Sequence, residues 1–187
     1  MTETDNNNNI NGLTGLANLG NTCFINSCMQ VINHTPDLND LLNKNNGEYY
    51  KNHLSAYKNK DLVLDSKLLV EWDNLRKLMW EENRIISPGA FLKAIQITAK
   101  KKGKDIFTGY AQNDLPEFLL FIIDTFHNGL RREVNMKIKG IIEDEKDSLA
   151  KQCYEMMKDM YKKEYSEFLD IFYGIHVSKI YNKNDEV

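Results

Sequence analysis

Residues 15–30 read GLANLGNTCFINSCMQ, a turn rich in Gly and Asn that leads directly into an apolar helical pattern. Phe24, Cys28 and Ile32 recur every four residues, which is the spacing of one helix face. Cys23 stands where the turn meets the helix, so its thiol lies at the positive end of the helix dipole, which favours the thiolate. The stretch therefore predicts a helix beginning near Cys23 and a cysteine suited to act as a nucleophile.

The turn itself also carries predictions. Thr22 is the expected N-cap, because its hydroxyl can accept a backbone N–H that the first helical turn leaves unpaired. Gly15 and Gly20 permit backbone conformations closed to other residues, which would let N–H groups face a nearby oxyanion. We expect Val31 to lie on the apolar face. Taken alone, a Cys at a helix start such as Cys23 is more often a small buried hydrophobic residue than a nucleophile.

This turn and helix resemble the cysteine box of the ubiquitin-specific proteases, a Gly-Leu-x-Asn-x-Gly-Asn-Thr-Cys-(Phe/Tyr)-x-Asn-Ser run that precedes a Gln, here Gln30. The resemblance implies a papain-like cysteine protease that hydrolyses isopeptide bonds at the C-terminal Gly of ubiquitin, through a thioester on Cys23. It also implies that Asn18 is the side-chain donor to the oxyanion, beside the backbone N–H of Cys23. The family's chemistry uses no metal, and we expect no cofactor.

Residues 107–119 read FTGYAQNDLPEFL and form the second informative stretch. Asp114 and Glu117 have the spacing of a capping box, and the following helix should end at Asn128-Gly129. The stretch also resembles the Gln-x-Asp-x-x-Glu-Phe box of the same proteases, in which the Gln lies beside the catalytic cleft and the Asp contacts the ubiquitin tail. The resemblance implies that Gln112 and Asp114 bind substrate.

The remaining pattern predicts a mainly α fold, the helical thumb subdomain of the protease, with about five or six helices and one or two short strands near the C-terminus. Helices are expected after Pro36, over residues 62–82, from an N-cap at Ser87 and over residues 147–170, whereas residues 43–60 read as a loop. Residues 172–177 (FYGIHV) have strand chemistry and resemble the start of the family's finger strands. Residues 1–11 are expected to be a disordered tail, and residues 12–187 the N-terminal portion of the protease domain.

A cysteine peptidase also needs an imidazole, which in this family follows the fingers in a C-terminal half that the resemblance does not include. His34, His53 and His127 have helix-end or loop explanations. His176 matches the finger strand by position, although its spacing from Cys23 leaves a catalytic role open as the less favoured alternative. We therefore expect a separate chain to carry the catalytic His, or weak or absent activity in this chain. The alternatives are a catalytically inactive ubiquitin-binding module and a truncated fragment whose motifs are relics.

Composition narrows the partners and the compartment. A net charge of −3 gives no electrostatic case for nucleic-acid binding. Three cysteines without disulfide spacing favour a reducing compartment, the cytoplasm or the nucleus, and the lack of a CxxC pair excludes a four-cysteine zinc site. We expect no signal peptide and no membrane span, because the sequence has no apolar run of about 18 residues.

Overall fold

The computed structural model describes residues 11–109 and 111–180, and the chain divides into two compact units at Arg131. Within the described residues there are eight α-helices, four short 3-10 helices and two strands of two residues each. The mainly α fold is therefore confirmed. The tail expected over residues 1–11 lies outside the described residues except for Asn11. No helix in the described ranges is both long enough and apolar enough to cross a bilayer.

The first unit contains six α-helices and both strands. The strands are β1 (Gly15–Leu16) and β2 (Ile85–Ile86), which pair in parallel, and the helices are α1 (Cys23–Asn33), α2 (Pro36–Asn43), α3 (Glu48–Asn52), α4 (Val63–Glu81), α5 (Gly89–Lys101) and α6 (Leu115–Leu130). The 3-10 helices are Lys44–Gly47, Ser55–Tyr57, Lys60–Leu62 and Asp105–Phe107. The helices predicted after Pro36 and over residues 62–82 are confirmed, whereas α5 begins one residue later than predicted, with Pro88 as its N-cap.

Helix α4 is the centre of this unit and packs against α5 and α6. Trp72 is fully buried, and its ring lies 5.7 Å from that of Phe91 and 6.4 Å from that of Phe126. The stripe predicted from helical spacing is buried throughout and comprises Leu68, Trp72, Leu75 and Met79. Burial of this stripe excludes water from the interface between the three helices and is the main source of their stability.

A buried charge cluster on α4 explains why residues 43–60 are more helical than their polar sequence predicts. Asp73 is fully buried, and its carboxylate accepts a hydrogen bond from the Tyr50 hydroxyl of α3 at 2.6 Å. Arg76 donates to Asp73 at 2.7 Å, and its other amino group donates to Asn39 of α2 at 3.0 Å. Lys77 completes the cluster at 2.7 Å from Asp73. Helices α2 and α3 are thus anchored to α4 by charged groups that periodicity does not reveal.

Helix α1 packs against α6 through its buried face. Phe24 and Phe118 meet edge to face, with ring centroids 5.3 Å apart. The expectation for Val31 is wrong, because its side chain is 70% exposed. The buried face extends instead toward Ile25 and Met29, on the other border of the same helical stripe.

The stop expected at Gly129 is also wrong, since α6 continues to Leu130. Gly129 lies where α6 crosses α4 most closely: a β-carbon there would be 3.1 Å from the backbone oxygen of Asp65. The hydroxyl of Ser66 donates to the Gly129 carbonyl at 3.2 Å across the same contact. Gly129 thus permits close packing of the two helices rather than ending one of them.

We expect Gly129→Ala to lower the free energy of unfolding by about 1–3 kcal/mol, because the added methyl group must push two packed backbones apart. Urea unfolding followed by circular dichroism measures this change. Gly109→Ala is the matched control, since nothing lies within 4 Å of the position of its added β-carbon. Equal stability of the two variants would contradict the close-packing explanation.

The second unit begins at Arg132 and contains α7 (Glu145–Glu164) and α8 (Glu167–Phe172). The single helix predicted over residues 147–170 is therefore two helices, separated at Tyr165. There Arg132 forms a two-residue antiparallel bridge with Tyr165, and its guanidinium binds both carboxylate oxygens of Glu167, at 2.9 and 2.6 Å.

The strand expected near the C-terminus is not formed in the described residues. Helix α8 includes Phe172, and residues 173–180 have no regular secondary structure. The strand chemistry of this segment finds no partner strand in the described part of the chain, and an extended segment without a partner is not a stable strand. The two strands that do form, β1 and β2, are both in the first unit.

Candidate active site

Cys23 is the first residue of α1, and it is exposed. The turn before it contains two residues in the left-handed region, Gly20 with φ of 105° and Asn21 with φ of 51°. Glycine adopts this conformation without a steric penalty, so the backbone freedom predicted for Gly20 is used, but its N–H donates to the Asn18 side chain at 3.1 Å and does not face an oxyanion. Gly15 is part of β1, and its N–H donates to the Arg84 carbonyl at 2.8 Å, so it does not face an oxyanion either.

The side chain of Asn18 holds this turn together through three hydrogen bonds. Its side-chain oxygen accepts hydrogen bonds from the backbone N–H groups of Gly20 and Thr22 and from the Thr22 hydroxyl, all at 3.1 Å. Because the oxygen faces two N–H donors, the orientation of the amide is fixed, and its Nδ2 group points away from the turn. Asn18 is exposed, and Nδ2 donates to no other described residue. This N–H group is therefore available to an oxygen atom of a ligand.

Thr22 occupies the N-cap position, but its hydroxyl does not cap the helix. The hydroxyl is engaged within the turn, where it accepts from the Leu19 N–H at 3.0 Å and donates to Asn18. The first backbone bond of α1 runs from Asn26 N–H to the Thr22 carbonyl. The N–H groups of residues 23–25 consequently have no acceptor within the described part of the chain. Unpaired donors at a helix start attract negative charge.

The two cysteines of α1 have opposite environments. Cys23 is exposed, whereas Cys28 is 2% exposed, and burial raises the pKa of the Cys28 thiol to about 12. Since the thiolate is the reactive form, Cys28 is held in the unreactive state. The interpretation of Cys23 as a buried hydrophobic residue is thus wrong. Cys28 is the cysteine of α1 that is buried.

We expect iodoacetamide to alkylate Cys23 in the folded protein and to leave Cys28 unmodified until the protein unfolds. Peptide mass spectrometry after a timed reaction, with and without urea, measures the modification of each thiol. The Cys153→Ser variant removes the third thiol, which is partly exposed, and simplifies the count. Equal rates for Cys23 and Cys28 under native conditions would contradict the difference in burial.

The second predicted stretch begins α6. Asp114 is the N-cap, with one carboxylate oxygen accepting the Glu117 N–H at 3.1 Å, so the capping prediction is confirmed. Its second oxygen has no partner among the described residues. Gln112 is exposed beside it, and the intervening Asn113 holds the loop by donating to the Ile106 carbonyl at 2.8 Å.

The packing of α1 on α6 brings the two predicted stretches together. Phe24, in the first turn of α1, contacts Phe118, in the first turn of α6. Cys23 and Asp114 therefore lie at the N-termini of two adjoining helices. The site combines an exposed thiol with N–H donors and one carboxylate oxygen that have no partner within residues 11–109 and 111–180, which suits a nucleophile beside an extended peptide.

The histidines of the first unit are not partners of Cys23. His34 follows the C-terminus of α1, about 16 Å along the axis from Cys23, and His127 is about 18 Å along α6 from its start. His53 is the C-cap of α3, and its ring lies 2.7 Å from the Tyr49 carbonyl of the same helix. His176 is exposed in the second unit. No described His, Asp or Glu forms a hydrogen bond with the Cys23 thiol, and no described group of three or more His, Cys, Asp and Glu residues is arranged to hold a metal.

Comparison with known proteins agrees with the geometry. The family model described as ubiquitin carboxyl-terminal hydrolase matches residues 14–186. The chain belongs to this family. The chain is 31% identical over 172 residues to ubiquitin carboxyl-terminal hydrolase 19 of Homo sapiens, covering 90% of this chain and 12% of that protein. It is 31% identical over 184 residues to ubiquitin carboxyl-terminal hydrolase 2 of Bos taurus, covering 92% and 27%.

A plant relative gives the same result, since ubiquitin carboxyl-terminal hydrolase 10 of Arabidopsis thaliana is 31% identical over 153 residues, with 79% of this chain and 15% of the relative covered. The chain thus spans about an eighth to a quarter of the length of these relatives. The resemblance to the ubiquitin-specific proteases is confirmed at the level of the family.

The sequence assigned no role to two residues of the cysteine box that the structure places in the site. Asn26 and Gln30 donate hydrogen bonds from α1 to the backbone of residues 14–17. The available signal was their spacing, since two amide side chains four residues apart share one side of a helix.

Proposed function

We propose that this chain is the cysteine-bearing part of a deubiquitinase, and that it cleaves the bond after the C-terminal Gly of ubiquitin through a thioester on Cys23. The observation that carries the proposal is the exposed Cys23 thiol at the start of α1, beside the Nδ2 group of Asn18 and backbone N–H groups that have no acceptor among the described residues. A thiolate and two kinds of oxyanion donor are the groups that acyl transfer to cysteine requires.

In the proposed reaction the Cys23 thiolate attacks the Gly carbonyl carbon, and the carbonyl oxygen becomes an oxyanion. The Asn18 amide and the Cys23 backbone N–H donate to this oxyanion. Its collapse breaks the C–N bond, and the amine leaves with a proton delivered by an imidazole. Water then hydrolyses the thioester and restores the thiol.

The imidazole belongs to a separate segment or polypeptide in this proposal, because the histidines of the first unit are bound to their own helix ends or lie far from Cys23. Residues 12–187 are then the N-terminal, thumb portion of the protease domain. The unpaired thiols of the chain fit a reducing compartment, the cytoplasm or the nucleus.

Gln112 and Asp114 are proposed to hold the ubiquitin tail. The carboxylate oxygen of Asp114 that does not cap α6 can accept a main-chain N–H of an extended peptide, while its other oxygen continues to accept from Glu117. Ubiquitin or a ubiquitinated protein is therefore the proposed partner, and neither nucleic acid nor a membrane has a place in the proposal.

Hydrolysis of a fluorogenic ubiquitin C-terminal amide tests this function. We expect turnover, by the chain alone or with a His-bearing segment added, that disappears in Cys23→Ala. His176→Ala, assayed in parallel, shows whether the second unit supplies the imidazole. Turnover that Cys23→Ala does not change would contradict the proposal.

A ubiquitin-binding module without catalysis is the second candidate, favoured by the absence of any described His bonded to Cys23. It predicts ubiquitin binding that weakens in Asp114→Ala and does not depend on Cys23, with no turnover when a His-bearing segment is added. Isothermal titration with ubiquitin measures this affinity. Failure to bind at high micromolar concentration would exclude the module.

A further inference from the structure

Helix α1 presents two side-chain amides to one edge of the segment that leads into the site. The Nδ2 group of Asn26 donates to the carbonyl oxygens of Leu16, at 3.1 Å, and Ala17, at 3.2 Å. The Nε2 group of Gln30 donates to the Thr14 carbonyl at 2.8 Å. Three successive contacts thus join α1 to residues 14–17.

The opposite edge of this segment is paired with β2. The Gly15 N–H donates to the Arg84 carbonyl at 2.8 Å, and the Ala17 N–H donates to the Ile86 carbonyl at 2.9 Å. Successive residues of a strand direct their backbone groups to opposite edges, so the carbonyls of residues 14 and 16 face away from β2 and toward α1. The segment is therefore held on both edges, by a strand on one and by a helix on the other.

The geometry of the two elements explains why a helix can serve as a strand partner here. Residues four apart on a helix are separated by about 6 Å along its axis. Residues two apart on a strand are separated by about 6.6 Å. Asn26 and Gln30 are four apart, and the carbonyls of Leu16 and Thr14 are two apart, so the amides match the carbonyls in spacing. The side chains supply the donors, because the backbone N–H groups at these positions of α1 are used within the helix.

Among the described residues, the Asn26 side chain forms hydrogen bonds through its donor group and not through its acceptor oxygen. Its side-chain oxygen is buried and has no hydrogen-bond partner among the described residues. A buried acceptor left unpaired lowers the stability of the fold. The two hydrogen bonds that the Nδ2 group donates must therefore compensate for this cost. One of them reaches Ala17, the residue immediately before Asn18.

We propose that Asn26 and Gln30 are positioning residues for the reaction, which fix the segment carrying Asn18 at a set distance from the helix that begins with Cys23. This inference rests on the proposed function, because Asn18 and Cys23 are its reacting groups. The hydrogen bonds from Asn26 and Gln30 to the backbone, however, can be tested without measuring turnover.

Hydrogen exchange of the backbone N–H groups of Gly20 and Thr22 is the test, since both donate to the Asn18 oxygen. The variants are Asn26→Asp and Gln30→Glu, which keep the shape of the side chain but replace the donor with an oxygen that faces a carbonyl. We expect exchange at Gly20 and Thr22 to become at least about tenfold faster, with the N–H groups of α4 still protected. Asn74→Asp and Gln152→Glu make the same chemical change at exposed helix positions and should change nothing.

Unchanged exchange at Gly20 and Thr22 in both variants would overturn the inference, and so would equally faster exchange throughout α4, which would indicate a general loss of stability. In the turnover assay, the inference predicts a lower kcat with KM unchanged, and little further loss when Asn26→Asp is added to Asn18→Asp. Full additivity would contradict action through Asn18. If Cys23→Ala leaves turnover intact, the proposed function fails while the exchange result still stands.

Discussion

We expect Asn18→Asp to lower the turnover of a ubiquitin C-terminal amide by about 10²–10³-fold, because it would remove one of the two proposed oxyanion donors. Aspartate retains the side-chain oxygen that accepts from Gly20 and Thr22, and it replaces the Nδ2 donor with a second, negatively charged oxygen. The turn before Cys23 is therefore expected to keep its conformation. Steady-state kinetics should show the loss in kcat, with KM little changed, because the donor acts on the oxyanion and not on the bound substrate.

Asn74→Asp is the matched control for this prediction, as it makes the same change on the exposed face of α4. Its kinetics and the thermal stability of both variants should equal those of the unsubstituted chain. A loss of less than about threefold in Asn18→Asp would remove Asn18 from the list of oxyanion donors, since one such donor contributes far more.

Asp73→Ala lowers the free energy of unfolding by about 3–5 kcal/mol, because it leaves the buried Arg76 guanidinium without its carboxylate partner. Asp73 is fully buried, and it accepts hydrogen bonds from Tyr50 and Arg76 that join α3 and α4. Urea unfolding measures the change. The control is Asp124→Ala, which removes an exposed carboxylate 3.3 Å from Lys102 and should cost less than about 1 kcal/mol.

The same cluster predicts a dependence on pH. Burial by itself raises the pKa of Asp73, but hydrogen bonds from Lys77, Tyr50 and Arg76 outweigh burial and hold the pKa below its usual range. An unfolded Asp titrates near pH ~4, so the contribution of Asp73 is complete above that pH and is lost as the pH falls through the lower, folded pKa. The stability difference between the unsubstituted chain and Asp73→Ala should stay constant from pH 8 to pH 5 and shrink below pH ~4. A difference that grows on acidification would contradict the assignment.

The sequence predicts best where one physical signal dominates. The stripe on α4 is regular over three turns and is buried as predicted, and the cap at Asp114 follows from a local contact. Gly129 was misread because a glycine near a helix end has two explanations, and the nearby backbone of Asp65 decides between them. The prediction of a strand near the C-terminus is wrong because a strand needs a partner strand, which the periodicity of a sequence does not show.

The candidate site shows the same division. The exposed thiol of Cys23 at a helix start follows from the local pattern of turn and helix. The hydroxyl of Thr22 could not be assigned from sequence, because the helix N-terminus and the Asn18 side chain compete for it. The orientation of the Asn18 amide depends on this competition, because its oxygen accepts from Thr22. The roles of Asn26 and Gln30 depend on residues 14–17 lying alongside α1, a tertiary contact.

Ubiquitin with a thiol-reactive electrophile at its C-terminus should label the folded chain covalently, a reaction that requires the proposed nucleophile and tail-binding residues but no product release. We expect one adduct, mapped by mass spectrometry to Cys23, absent in Cys23→Ala and slower in Asp114→Ala. The buried Cys28 should remain unmodified. No adduct under conditions where free iodoacetamide modifies Cys23, or an adduct that persists in Cys23→Ala, would contradict the proposed role of Cys23.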